Sequence, residues 1–561
     1  MGGEQMEKVW LESYPAGIPQ EIDLDAYRSI NDVFQQSVER YGKNPCFSNL
    51  GTTLTYNEMD RYIDQLASYL QSLPAMEKGD RVVVMMPNVL QNPISIFAAL
   101  RAGFTVVNTN PLYTPRELEH QLSDSGAKAI IVMENFCHTL AEIIDKTSIQ
   151  HVVTTQVGDM LHFPKSLIVN LVVKYIKRMV PQFSLPGRVS FRRALQLGAN
   201  QQHSAVSCKH DDIAFLQYTG GTTGIAKGAM LTHGNMVANM QQASAWLEND
   251  IVEGAEIIVT ALPLYHIFSL TANCLTFMKF GSLNYLITNP RDMPGFVKEL
   301  QRLKFTAITG VNTLFNGLLN TPGFEKIDFS SLKLTLGGGA AVQQPVAERW
   351  QKLTKLPILE AYGLTETSPA VCINPLTLRE YNGSIGLPVP STEVSVQDDK
   401  GNLLPQGETG ELCVRGPQVM KGYWKRPEET ARVLSDDGWL KTGDVAQMDE
   451  LGFFRIVDRL KDMILVSGFN VFPNEIEGVI AGHEGVLEVG VIGVPDPARG
   501  EIVKAVIVKK DASLDEAAII AYCRESLTAY KVPKIIEFRD ELPKSNVGKI
   551  LRRELRESLV Q

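Results

Sequence analysis

Tyr218-Thr-Gly-Gly-Thr-Thr-Gly-Ile-Ala-Lys-Gly-Ala229 carries the strongest signal in this 561-residue chain. The stretch follows an apolar run, Ile213–Gln217, that reads as a strand. It precedes a helical pattern with Met236, Val237, Met240 and Ala243 on one face. Seven of its twelve residues are Gly or Thr, too many for an ordinary turn. Glycines let backbone N–H groups face an anion with no Cβ in the way. The threonine hydroxyls add donors and a magnesium ligand, and Lys227 adds positive charge. The order strand, loop, helix predicts a phosphate-binding turn. It is not a Walker A motif, because no G-x-x-x-x-G-K-[ST] can be read through it.

Through the first two-thirds of the chain, apolar runs alternate with amphipathic segments. Arg81–Met86 reads as a buried strand, Pro93–Ala102 as a helix and Thr105–Asn108 as the next strand. Similar runs recur at Ala129–Met133, Ile257–Ala261, Ser282–Ile287 and Phe305–Thr309. This rhythm predicts an α/β fold of mostly parallel sheets covered by helices. After Gly383, short strands alternate with turn clusters such as Asp398–Asn402 and Pro405–Gly410, which predicts a small β-rich subdomain. The last hundred residues read as a compact α+β unit, with strands at Val489–Val494 and Lys504–Val508 and helices at Glu516–Ser526 and Ile550–Leu559. A domain boundary is placed at 458–461, dividing a large domain, 1–457, from a small one, 462–561.

Bulk properties narrow the function classes. The chain is 44% hydrophobic and 21% charged, enough for a substantial core. Its net charge of −9 excludes broad nucleic-acid binding, which needs an excess of Lys and Arg. Seven scattered cysteines without a C-x-x-C pair read as reduced thiols in a cytoplasmic protein, with no structural zinc. The N-terminus lacks the apolar segment of a signal peptide, and Met6 removes the myristoylation signal that Gly2 suggests. No apolar run is long enough to span a bilayer. The segment Lys165–Val180 stands apart, with four basic residues, no acidic ones, and Lys174, Lys177 and Arg178 expected on one helical face. It reads equally as a membrane-surface helix or as an ordinary amphipathic helix with a solvated basic side.

The loop at Tyr218–Ala229 resembles the T-S-G-T-T-G-x-P-K-G signature of the adenylate-forming superfamily, with Gly220 and Ala226 at the Ser and Pro positions. The resemblance implies nucleotide binding by Tyr218, Thr219, Gly220, Gly221, Thr222, Thr223, Gly224, Ile225, Ala226, Lys227, Gly228 and Ala229. It also implies a large N-terminal domain hinged to a small mobile C-terminal one. Tyr362-Gly-Leu-Thr-Glu366 matches the family's Y-G-x-T-E motif. Tyr362, Gly363 and Thr365 are thereby assigned to the nucleotide, and Glu366 and Thr219 to Mg²⁺. Gly337, Gly338 and Gly339 resemble the wall of the adenine pocket. Trp439-Leu-Lys-Thr-Gly-Asp444 resembles the segment whose Asp binds the ribose, with Arg459 nearby and Lys441 where relatives often carry His. Asp458-Arg-Leu-Lys461 resembles the hinge, with Lys461 as pivot. Ser467, Gly468 and Phe469 resemble the loop that forms the pantetheine channel after rotation. Pro543-Lys-Ser-Asn-Val-Gly-Lys549 matches the loop of the catalytic lysine.

Such a site solves a definite problem. A carboxylate is a poor electrophile, so it first attacks the α-phosphate of ATP, and a thiol then displaces AMP. Pro263-Leu-Tyr-His-Ile-Phe268 resembles the border of the acyl pocket, with His266 lining it or packed within the core. No acidic residue stands in this segment to hold an ammonium group, which favours an uncharged acyl tail. Thr288–Asp292, Ile308–Phe315 and Ile464–Phe472 resemble bacterial long-chain fatty acid–CoA ligases. The expected co-substrates are ATP and coenzyme A with Mg²⁺. The inner membrane, reached through 165–180, and a second copy of the chain are further candidate partners. Medium-chain or aryl acids, and a carrier-protein thiol as acceptor, stay open as alternatives. A luciferase-like oxidation or a non-catalytic sensor fits less well with Glu366, Asp444, Lys461 and Lys549 all present.

Overall fold

The computed structural model describes residues 8–219, 226–497 and 499–558. Among these, four sheets form the frame. The first runs in the order Val189–Ser190, His151–Thr155, Ala129–Met133, Arg81–Met85, Thr105–Asn108, Ile213–Thr219 and Lys227–Thr232. All its pairs are parallel except the last. The second has nine strands, with a parallel centre of Leu359–Gly363, Leu334–Gly337, Ala307–Gly310, Ile257–Thr260, Leu283–Leu286 and Pro45–Asn49. Strands at these centres are buried on both faces, which is why they appear as continuous Val/Ile/Leu runs. Helices such as Tyr56–Gln71 and His233–Leu247 cover the sheets, each started by a capping box, at Thr55 with Glu58 and at Thr232 with Asn235.

The β-rich region is a four-stranded antiparallel sheet of Glu393–Gln397, Thr409–Arg415, Leu440–Met448 and Phe454–Arg459. From Ile464 onward the chain builds its own five-stranded sheet and its own apolar core around Val471, Ile476, Ile507 and Ile519.

Three local expectations are corrected. A further strand, Lys227–Thr232, precedes the helix, which starts only at His233. That strand pairs antiparallel with Ile213–Thr219, Thr219 opposite Lys227. The helix at Lys165 ends at Ile176 after a π-helical turn, and Arg178 lies beyond it at φ +52°, so Arg178 shares no helical face with Lys174. The last helix spans Arg552–Glu557 and begins two residues later than expected.

Gly363 shows how tightly the central strands approach. A Cβ there would stand 2.0 Å from the Pro369 carbonyl oxygen. Gly363→Ala is therefore expected to push Leu359–Gly363 away from Ala370–Ile373 and lower the melting temperature by several degrees. Gly478→Ala, in the helix Pro473–Ala481 with open space at its Cβ, is expected to raise stability by about 0.5–1 kcal/mol. Calorimetry on the two variants checks both signs.

Candidate active site

Where the two large sheets, the antiparallel sheet and the C-terminal unit meet, they enclose a cleft of about 2660 Å³. Small-molecule sites commonly occupy roughly 300–1,000 Å³, so this one has room for a nucleotide and a long acyl chain together. Tyr218, Thr219, Ala226, His266, Gly338, Gly339, Tyr362, Gly363, Thr365, Glu366, Asp444, Arg459, Lys461 and Lys549 all line it.

One wall is built around Asp444. This buried carboxylate accepts a 2.6 Å hydrogen bond from the Tyr362 hydroxyl and a 2.9 Å ion pair from Arg459 Nε. Strand pairing opposes Asp444 to Arg459 directly. Burial, and then the Asp444 charge, raises the Tyr362 pKa, so the phenol remains a donor. Burial works against the Arg459 charge, but Asp444 and Tyr362 outweigh it and raise that pKa. A second wall is the turn after Leu334–Gly337. A Cβ on Gly338 would meet the Phe268 ring at 3.0 Å and the Ala361 carbonyl at 3.1 Å, while Gly339 holds φ +77°. Bare backbone therefore faces the cleft there. Gly337 itself is in the strand, against Val342 and Ile358.

Lys549 enters from the C-terminal unit. Its loop is closed by hydrogen bonds from Ser545 N to Lys549 O and from Lys549 N to Ser545 Oγ, with Gly548 at φ +86°. The hydroxyl of Thr313 donates to Gly548 O at 2.8 Å and docks the loop on the helix Asn312–Leu319. Burial, and then Arg459, lowers the Lys549 pKa to about 8. His266 is partly buried in the same cleft, and desolvation followed by the Lys549 charge pushes it down to about 4, so the imidazole is neutral at neutral pH. Lys461 is exposed at the edge of the cleft, and its pKa is lowered by desolvation and then by the Arg459 charge.

Other assigned residues are placed elsewhere. Gly220, Gly221, Thr222, Thr223, Gly224 and Ile225 lie outside the described residues. Lys227 does not line the cleft; it pairs with Glu429 at 3.0 Å and lies over the Tyr423 ring. Gly228 and Ala229 belong to the strand behind the loop. Ser467, Gly468 and Phe469 form an exposed turn outside the cleft, with Phe469 stacked on Tyr530.

Several contributors escaped the sequence reading. Asp124 receives the Tyr218 hydroxyl and Arg426, both at 2.7 Å. Tyr423 donates to Glu366 Oε1 at 2.6 Å. Arg552, from the last described helix, pairs with both Glu477 and Asp458. Gly422-Tyr-Trp-Lys-Arg-Pro-Glu-Glu-Thr430 signals a helix start through Pro427. Nothing in that stretch points to a carboxylate 57 residues away.

Leu247, Phe268, Phe277, Leu336, Ile373 and Ile385 line the same cleft and give it an apolar portion. For a cation, Glu366 offers one carboxylate and Thr219 one hydroxyl, and no group of three or more His, Cys, Asp or Glu able to hold a metal occurs among the described residues. A sparse donor set fits Mg²⁺ shared with phosphates, because that ion takes one or two carboxylates and fills its shell with phosphate and water.

Comparison with known proteins agrees with this geometry. Residues 34–424 match the AMP-binding enzyme family and residues 475–549 match the AMP-binding enzyme C-terminal domain. A long-chain-fatty-acid–CoA ligase of Escherichia coli O6:H1 is 59% identical over 98% of both chains. One from Bacillus subtilis is 40% identical over 99% of this chain and 98% of its own. Among solved structures, ATP-bound MatB from Rhodopseudomonas palustris has a TM-score of 0.79 at 28% identity, covering 94% of this chain and 99% of that one. The anthranilate CoA ligase AuaEII in complex with anthranoyl-AMP has a TM-score of 0.84 at 25% identity, covering 96% and 99%. Two matched domains in this order, which contribute Glu366 and Lys549 to one cleft with Asp444 lining it from the stretch between them, leave a single assignment: the chain belongs to the AMP-binding enzyme family.

Proposed function

We propose that the chain is an ATP- and magnesium-dependent ligase that activates a long-chain fatty acid as acyl-AMP, releases pyrophosphate, and transfers the acyl group to coenzyme A. The observation that carries this reading is one cleft lined both by Lys549, Asp444 and Glu366 and by apolar side chains such as Phe268, Phe277 and Leu336, in a chain 59% identical to a long-chain-fatty-acid–CoA ligase. Asp444, oriented by Tyr362 and Arg459, would accept from the ribose hydroxyls. Gly338 and Gly339 would let backbone reach the adenine. Glu366 and Thr219 would hold Mg²⁺, which screens the phosphate charge. Lys549 would bridge the substrate carboxylate and the α-phosphate, where negative charge builds during attack. Neutral His266 suits the border of the acyl site, since a second cation beside Lys549 would be costly there.

The chain is further proposed to act as two bodies, 1–457 and 462–561, turning about 458–461 with Lys461 as pivot. Arg552 joins Asp458, the first residue of that segment, to Glu477 beyond it. The exposed Ser467–Phe469 turn would replace the lysine loop after rotation and admit the thiol.

A peripheral contact with an anionic bilayer on the cytoplasmic face is assigned to 165–180. No helix among the described residues is long and apolar enough to cross a membrane. Yet Phe163, Leu167, Ile168, Leu171, Tyr175, Ile176 and Met179 are all exposed, Phe163 by 82%. No Asp or Glu occurs between Asp159 and Asp211, while eight Lys or Arg do. In a chain of net charge −9, an apolar ridge inside a basic field matches an anionic lipid surface.

The reaction is tested by mass spectrometry with ATP, Mg²⁺, coenzyme A and acids of graded length. Acyl-CoA and AMP are expected, strongest for long chains; acyl-AMP without acyl-CoA would move the acceptor to a carrier protein. Lys549→Ala should slow adenylate formation by about 10²–10³ while sparing thioester formation from supplied acyl-AMP. Equal loss in both half-reactions would contradict the two-body scheme.

Lys549 also predicts a pH signature. Its depressed pKa leaves the free lysine largely neutral above about pH 8, and a bound triphosphate restores the charge. ATP binding should therefore take up protons at about pH 8.5 and weaken as pH rises. Calorimetry in buffers of different ionisation enthalpy should show this uptake, and it should vanish in Lys549→Met.

Phosphatidylglycerol vesicles should sediment the protein. Replacing Lys174, Lys177 and Arg178 by Ser should weaken that binding on the order of a hundredfold, at about 1 kcal/mol per charge. Unchanged binding would reduce the segment to an ordinary amphipathic helix.

A further inference from the structure

The segment Pro417–Trp424 clamps the two anion-handling parts of the cleft. On one side Met230 N donates to Gly422 O at 2.9 Å and Trp424 N to Gly228 O at 2.8 Å, so the segment pairs with the strand that leaves the phosphate loop. On the other side Met420 N donates to the Glu366 carbonyl at 2.8 Å, and Ser368 Oγ to Gln418 O at 2.9 Å. Tyr423 stands between them, 6% exposed, its own N–H held by Thr430 Oγ1 at 2.9 Å. Its hydroxyl reaches Glu366 Oε1 at 2.6 Å. Its ring carries the Lys227 ammonium at 4.6 Å, and Lys227 is anchored in turn by Glu429.

We infer that Tyr423 is a positioning residue for Glu366: its buried hydroxyl holds one carboxylate oxygen, so that the other is presented to a divalent cation bound with the triphosphate. A free glutamate side chain samples several rotamers, and immobilising it in advance removes an entropic cost from ion binding. The ring meanwhile lies under Lys227 while its hydroxyl holds Glu366, so one side chain touches both the strand that follows the phosphate loop and the proposed metal carboxylate. Outer residues of this kind commonly change metal affinity or activity by about 10–100-fold when removed.

The inference rests on Glu366 being the metal carboxylate, as proposed above. The test is ATP–pyrophosphate exchange with a fatty acid, measured against free Mg²⁺ in the full-length enzyme. Tyr423→Phe retains the ring under Lys227 and removes only the donor. It should raise the Mg²⁺ concentration for half-maximal exchange by about tenfold, leave the KM for the fatty acid unchanged and leave the melting temperature within a degree or two. In a Glu366→Gln background, the same change should add less than a factor of two, because its effect passes through the carboxylate. If Glu366→Gln shifts the Mg²⁺ dependence and Tyr423→Phe does not, or if the two effects multiply, the positioning role is overturned while the metal assignment stands. If Glu366→Gln leaves the Mg²⁺ dependence unchanged, the metal assignment itself falls, and the inference falls with it.

Discussion

The Asp444 carboxylate is the point on which the cleft depends. Removed from water, it is tolerated because the Tyr362 hydroxyl and Arg459 satisfy it at 2.6 Å and 2.9 Å. Those partners belong to different sheets: Tyr362 ends a central strand of the nine-stranded sheet, and Arg459 ends the antiparallel sheet just before Lys461. One buried charge therefore sets the angle between two sheets and the position from which the C-terminal unit departs. The same carboxylate helps keep the nearby Lys549 protonated against the effect of burial.

The local electrostatics run against the global ones. The chain carries a net charge of −9, yet Arg459, Lys461 and Lys549 converge on the cleft, where desolvation first and then the neighbouring cations lower the pKa of the two lysines. Cations gathered before a ligand arrives repel one another, and a polyphosphate relieves that repulsion on binding. The second basic region, around Lys174 and Lys177, is exposed and mixed with apolar side chains, as suits a surface that meets lipid rather than a pocket that encloses a nucleotide. The two regions illustrate how burial decides what a lysine can be used for.

Much of the fold was legible because strands buried on both faces must be apolar throughout. Arg81–Met85, Ala129–Met133 and Ile257–Ile258 stand out for that reason alone. Lys227–Thr232 did not stand out: it is an antiparallel partner with glycine and lysine in its first half, and only its pairing with Ile213–Thr219 makes it a strand. Helical periodicity at Lys165–Val180 likewise suggested one basic face, but a π-turn and the left-handed Arg178 end the helix early. Local pattern cannot register a turn imposed by the surrounding backbone.

Taken alone, the sequence determined the alternating α/β class, the position of the phosphate loop and the set of motifs whose resemblance names Glu366, Asp444 and Lys549. These are properties of short stretches, where residue type limits backbone conformation and chemistry directly. Only the tertiary structure decided which of the named groups share one cleft, that Lys227 is held by Glu429, and that Tyr423 and Asp124 support Glu366 and Tyr218. Such contacts join residues far apart in the chain, such as Tyr218 and Asp124, 94 positions apart. Their formation depends on how whole sheets pack, and no short stretch contains that information.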